Sequence, residues 1–181
     1  MPYEPPPELG NLSLSEIAAL VTERKLPPLE QWHPERTGDS EMRIAADGRW
    51  YHQGGEITRS AMVRAFATLL TRDTSGRHWL VTPQERLSIE VEDAALIAVD
   101  VAQMSDCLTF RLNTDDLVIA GSDHPIRAAG DPDTPALYIA VRHGIEARLN
   151  RSTYLQLAEI ALQGDGQSVA SHGVTFSLVP A

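Results

Sequence analysis

The sequence predicts an α+β protein built from two structurally similar strand-strand-helix-strand units, an internal duplication. Three observations lead there. Short β-favouring runs recur along the chain between turn signals. Two amphipathic segments interrupt them and align at an offset of 92 residues, Arg59-Ser60 falling on Arg151-Ser152. Each segment follows a glycine turn (Gly54, Gly144) and precedes a glycine and an aromatic-bearing strand, residues 76–81 and 173–178. The apolar positions match as well: Met62, Val63, Phe66, Leu69 and Leu70 fall on Tyr154, Leu155, Ala158, Ala161 and Leu162, one face of a helix in both cases.

In chain order, residues 1–40 read as an arm and a brace helix. Met1 to Gly10 carries four prolines. Ser13-Leu14-Ser15-Glu16 is a capping box that opens a helix through about Lys25, and Pro27-Pro28 stops it. Residues 41–94 form the first unit. Met42–Ala45 and Trp50–His52 are strands around Asp47-Gly48, whose residues tolerate the positive φ of a hairpin turn. Thr58 is expected to cap a helix running to about Arg72. Asp73–Gly76 is a turn, His78–Thr82 a strand, and Leu87, Ile89 and Val91 alternate as a half-buried one.

Residues 95–181 form the second unit. Its strands are Leu96–Val101, Leu108–Leu112, Leu117–Ala120, Leu137–Val141 and Val174–Leu178. Asn113–Asp116 is a turn, Asp131–Pro135 a longer loop, and Arg151 to about Leu162 a helix.

Composition narrows the function. The 181 residues are 43% hydrophobic and 22% charged, as in ordinary globular proteins. No run of about 18 apolar residues exists to span a membrane. The start lacks a basic region followed by an apolar stretch, so no secretory leader is expected. A lone cysteine, Cys107, suits a reducing cytoplasm. With 25 acids against 15 bases, a net charge of −10 argues against nonspecific nucleic acid and anionic membranes as partners. The charge is uneven: residues 59–86 carry a net +3 and residues 88–133 a net −8.

No metalloprotease, nucleophile-elbow, phosphate-loop or paired-cysteine zinc motif is present, so no metal and no cofactor is expected. What remains points to anion binding. With Thr58 and Asn150 as caps, Arg59 and Arg151 open their helices, where a cation opposes the helix dipole at a cost of about 0.3–1 kcal/mol. Either each arginine joins free backbone N–H groups to hold an anion, or it pairs with an acid such as Glu85, Asp93, Glu56 or Glu146. Trp50 and His52 precede the first helix on one strand face; Trp50 is either a contact for a nucleotide base or a core residue. Thr82 and Glu85 end a strand where loops reach a crevice. Arg142, Glu146 and Arg148 lie in a segment that is either a solvated turn or part of the same binding surface.

The residues also carry a family resemblance. DGRWYHQGGEITRSAMVRAFATLL, WLVTPQERLSIEVEDA, AVRHGIEARLNRSTYLQL and SHGVTFSL, with PPLEQWHP ahead of them, resemble the bacterial domain-of-unknown-function family 1285. The match covers about residues 27–178, and Ala95 departs from it where proline is expected. The resemblance implies a duplicated α+β fold whose second unit, with a barrel-like sheet, superficially resembles a pleckstrin-homology domain. It further implies a cleft between domains for a nucleotide-like ligand, and a signalling role without an established activity.

The expectation is therefore a non-catalytic sensor of a phosphate-bearing small molecule. Its candidate contacts are Trp50, His52, Arg59, Thr82, Glu85, Arg142, Glu146, Arg148 and Arg151. The alternatives are a protein-interaction module, homodimerisation included, using the acidic pleckstrin-like surface, and a weak hydrolase or transferase with Glu85, His52 or His143 as base.

Overall fold

The computed structural model describes residues 26–181; the expected arm and the capped helix ending near Lys25 lie outside them. By packing, the chain divides into two units. Of the described residues, the first comprises residues 26–95 with the segment Arg142–Ile145, and the second holds residues 96–141 and 146–181.

In the N-terminal unit a short 3-10 turn, Leu29–Gln31, precedes β1 (Arg36–Ile44), β2 (Trp50–His52) and β3 (Gly55–Glu56). Helix α1 (Ser60–Ala67) follows, then β4 (Leu70–Arg72), β5 (His78–Val81) and β6 (Glu85–Val91). The sheet order is β3-β2-β1-β6-β5-β4. Its middle ladder is parallel, from Arg36↔Glu85 to Ile44↔Val91, with a register shift between Asp39 and Arg43. At the shift Ser40 Oγ donates to the Ser88 carbonyl (2.7 Å) and accepts the Met42 amide (3.2 Å), so a side chain bridges the two strands where the ladder is interrupted.

Ile44, Trp50, Leu70, Leu80 and Ile89 alternate onto one face and are buried. Trp50 stacks there on Phe66 of α1, with ring centroids 6.3 Å apart. Trp79 and Val81 point the other way and pack with Leu29, Trp32 and Leu69.

The C-terminal unit contains β7 (Leu96–Met104), β8 (Cys107–Leu112), β9 (Leu117–Ile119), β10 (Ile126–Asp131), β11 (Thr134–Arg142) and β12 (Ile145–Leu149). Helix α2 (Arg151–Leu162) and the hairpin β13 (Ser168–Ser171) and β14 (Val174–Ser177) complete it. The sheet order, β10-β11-β12-β7-β8-β9, is that of the first sheet read from the other edge with each strand number raised by six. Here too the middle ladder, β12 with β7, is parallel.

The duplicated α+β fold is thus present, and its repeating part is a six-stranded sheet. The helices do not share a place in it: α1 joins the third and fourth strands, whereas α2 follows the sixth. The 92-residue helix match therefore reflects a shared amphipathic pattern, and the strands carry the repeat.

Several boundaries differ from the sequence reading. β1 begins at Arg36, so residues 36–40 belong to the sheet and not to a brace. Helix α1 ends at Ala67, where the Thr68 hydroxyl donates to the Ala65 carbonyl (2.6 Å), and Leu70–Arg72 turns into an edge strand beside β5. Asp131–Pro135 is a tight hairpin, Asp131 pairing with Thr134, and not a loop. No helix among the described residues is long and apolar enough to cross a membrane.

Candidate functional site

The start of α1 differs from expectation. The chain leaves β3 still extended, held by the Ile57 amide donating to the Trp50 carbonyl (2.8 Å), so Thr58 comes too early to cap. Arg59 itself is the N-cap, with φ −74° and ψ 106°, and no side chain caps the helix. The Arg59 carbonyl accepts from the Met62 and Val63 amides (both 3.1 Å), leaving, among the described residues, the Ser60 and Ala61 amides open to another acceptor. His52, Glu56, Thr58, Arg59 and Met62 are among the residues that line an open hollow of about 380 Å³ there.

Helix α2 starts as the sequence predicts. Asn150 is its cap and accepts the Thr153 amide (2.9 Å), and Arg151 is the first helical residue. Both Arg59 and Arg151 are exposed, and among the described residues neither forms an ion pair. The proposed acid partners are engaged elsewhere or apart: Glu146 holds Arg127, and Glu56 lies 3.9 Å from Arg49.

The other candidates are scattered. Trp50 is 1% exposed and belongs to the core, out of reach of a ligand in the hollow beside it. The Thr82 hydroxyl donates to the Glu85 carbonyl and accepts its amide (both 3.1 Å), which shapes the β5–β6 turn. Arg142 Nη2 donates to the Ala67 carbonyl (3.3 Å) at the end of α1. Glu146 accepts Arg127 Nε and Nη2 (2.9 and 2.7 Å), and Arg148 lies 5.9 Å from the Tyr138 ring. Only His52 and Arg59 of the candidates share a hollow among those described.

A second hollow, about 760 Å³ and open, was not foreseen. Thr37, Asp73, Ser75, Arg77, Trp79 and Arg86 are among its lining residues. The Arg86 guanidinium lies 4.0 Å from the Trp79 ring centroid and that of Arg77 5.6 Å. Hydrogen bonds from the Ser75 hydroxyl first, then the Trp79 indole, hold the Asp73 carboxyl well below the usual carboxylate range. The sequence signal was the basic excess of residues 59–86; the stacking needed the register Val81↔Arg86, which sequence does not show.

Cys107 is 4% exposed, its Sγ 3.6 Å from His172 Nδ1 and 3.5 Å from Asp106 Oδ1. Burial, then Asp106, pushes the thiol up, which keeps it protonated as a small core residue. Among the described residues no group of His, Cys, Asp and Glu could hold a metal ion.

Such a molecule is a two-sheet α+β protein with open, arginine-bearing hollows. Two family models match it consecutively: the N-terminal domain of DUF1285, a domain of unknown function, over residues 27–94, and the DUF1285 C-terminal domain over residues 94–178. A DUF1285 family protein from Silicibacter pomeroyi DSS-3 is 39% identical, with a TM-score of 0.78 over 93% of this chain and 96% of that one. A second, from Shewanella baltica OS155, is 23% identical, with a TM-score of 0.54 over 65% of this chain and 90% of that one, a likeness of fold. No curated protein matches. The chain belongs to the DUF1285 family.

Proposed function

We propose that this protein is a non-catalytic sensor that binds a phosphate-bearing small molecule, nucleotide-like in character, in the cytoplasm. The observation that carries the reading is Arg59: exposed, in no ion pair among the described residues, and on the rim of the hollow it shares with His52 and Glu56. The uncapped first turn of α1 offers backbone N–H groups, the helix dipole favours an anion, and the guanidinium adds a fork. His52 supplies a ring beside it for the rest of the ligand. Arg151 is less equipped, since Asn150 already takes one amide of its helix.

A thermal-shift panel of nucleotides and dinucleotides tests this. A ligand at about a hundred times its Kd stabilises the fold by about 2.7 kcal/mol. At least one compound should raise the melting temperature, and Arg59→Ala should abolish the rise. A panel in which no compound shifts it defeats the reading.

One observation favours the interaction reading: Leu155 and Leu162, seven residues apart on α2, are 50% and 72% exposed. Sedimentation of wild type against the Leu155→Glu, Leu162→Glu double variant separates self-association through this face from a monomer.

A further inference from the structure

Each sheet places an aromatic ring on its fifth strand and lays an arginine of its sixth strand over it. Arg86 of β6 lies 4.0 Å from the ring of Trp79 on β5, and Arg148 of β12 lies 5.9 Å from the ring of Tyr138 on β11. Each ring also carries a second arginine, Arg77 at 5.6 Å from Trp79 and Arg127 at 4.3 Å from Tyr138. A guanidinium over a ring is shielded from water on that side, while the N–H groups along its edge still need acceptors.

The C-terminal unit supplies the acceptor itself. Arg127 Nε and Nη2 donate to the two oxygens of Glu146 at 2.9 and 2.7 Å, a bidentate pair. The N-terminal unit has the cations without the acid. Among the described residues neither Arg77 nor Arg86 forms an ion pair. Asp39, Glu41 and Glu90 lie with Arg77 along a neighbouring hollow without an ion pair to it, and Asp73, which lines this one, is committed to its own loop. Its Oδ1 accepts the Ser75 amide (2.9 Å), the Ser75 hydroxyl (2.5 Å) and the Arg77 amide (3.0 Å), and its Oδ2 accepts the Trp79 indole N–H (2.9 Å). Both arginines instead line the open hollow of about 760 Å³, with the hydroxyl residues Thr37 and Ser75 beside them.

We propose that this hollow binds the carboxylate of a small organic acid, held by the edges of Arg77 and Arg86 as Glu146 is held by Arg127. Two lining cations against one lining acid leave the hollow net positive on a chain whose net charge is −10. Its volume lies in the range of small-molecule sites. It shares no lining residue with the hollow at α1, so the two sites stand or fall separately.

The test is an NMR titration of the 15N-labelled protein at constant ionic strength with succinate and citrate, and with inorganic phosphate and chloride as separate arms. The carboxylates should shift the Trp79 indole N–H resonance saturably, and Arg86→Gln and Arg77→Gln should each weaken binding about tenfold, a difference of about 1.4 kcal/mol. Calorimetry on the same variants gives the constants independently of the reporter ring. The proposal is overturned by the absence of a saturable shift with either carboxylate, or by phosphate or chloride binding as tightly. Unweakened binding in both glutamine variants overturns it too.

Discussion

The indole N–H of Trp79 donates to the carboxylate of Asp73, six residues earlier, at 2.9 Å. One acid thereby fixes both the turn between β4 and β5 and the plane of the ring on which two arginines lie. Its carboxyl titrates below the usual range, so the folded state binds that proton less readily than the unfolded chain. The stabilisation is complete above the unfolded value of about 3.9 and is lost as pH falls through the lower folded value. Asp73→Asn should therefore lower the melting temperature at neutral pH, with the gap to wild type narrowing steadily below about pH 4. A gap that stays constant down to about pH 2 would contradict this account.

Gly144 has φ +78°, and a Cβ there would fall 2.5 Å from the Arg72 carbonyl oxygen, a backbone atom with little freedom to move. The neighbouring bond, Arg72 amide to His143 carbonyl at 2.8 Å, would be displaced with it. Gly144→Ala should cost about 1–3 kcal/mol, from backbone strain and the displaced contact together. Urea unfolding measures it, and a loss below about 0.5 kcal/mol would show that the turn yields freely.

The two helix starts should respond differently to truncation. Asn150→Ala removes a side-chain cap and should cost about 1 kcal/mol. Arg59→Ala removes an exposed side chain that caps nothing, and stability should stay within about 0.5 kcal/mol. Chemical denaturation of both variants checks the contrast; equal losses would mean that Arg59 supports the fold after all.

Trp50 separates packing from hydrogen bonding. Its Nε1 is buried without a partner among the described residues, so Trp50→Phe forfeits volume but no hydrogen bond seen there. Trp50→Ala should cost about 3–5 kcal/mol and Trp50→Phe clearly less, by calorimetry. Equal losses would imply a partner for the indole.

The parts of the fold legible in the sequence are those governed by local chemistry. Asn150 and the helical face behind it mark α2 from Arg151 to Leu162, and Asp47-Gly48 marks the β1–β2 turn. β12 escaped because Glu146 and Arg148 disguise an alternation in which Ile145, Ala147 and Leu149 are buried. β4 escaped because Leu69 and Leu70 prolong the helical pattern of α1 beyond the point where Thr68 ends it. β10, with Ala128, Ala129 and Gly130, has almost no strand propensity of its own and is held by its pairing with β11. Among site residues, His52 and Arg59 were legible because chain proximity joins them. Arg77, Trp79 and Arg86 were not, because sheet register brings Arg86 over the ring and a sequence does not print its register.

The pairing of first strand with last has a consequence for how the protein is made. β1 ends at Ile44 and its central neighbour β6 begins only at Glu85; β7 likewise awaits β12. During synthesis each sheet lacks its middle until its sixth strand has left the ribosome. Before that, a three-stranded ribbon and a separate two-stranded hairpin with open edges are all that local pairing can form, and such edges invite partners from other chains. Late closure of this kind favours slow, high-contact-order folding and places the moment of greatest aggregation risk before translation of β6 and again before β12.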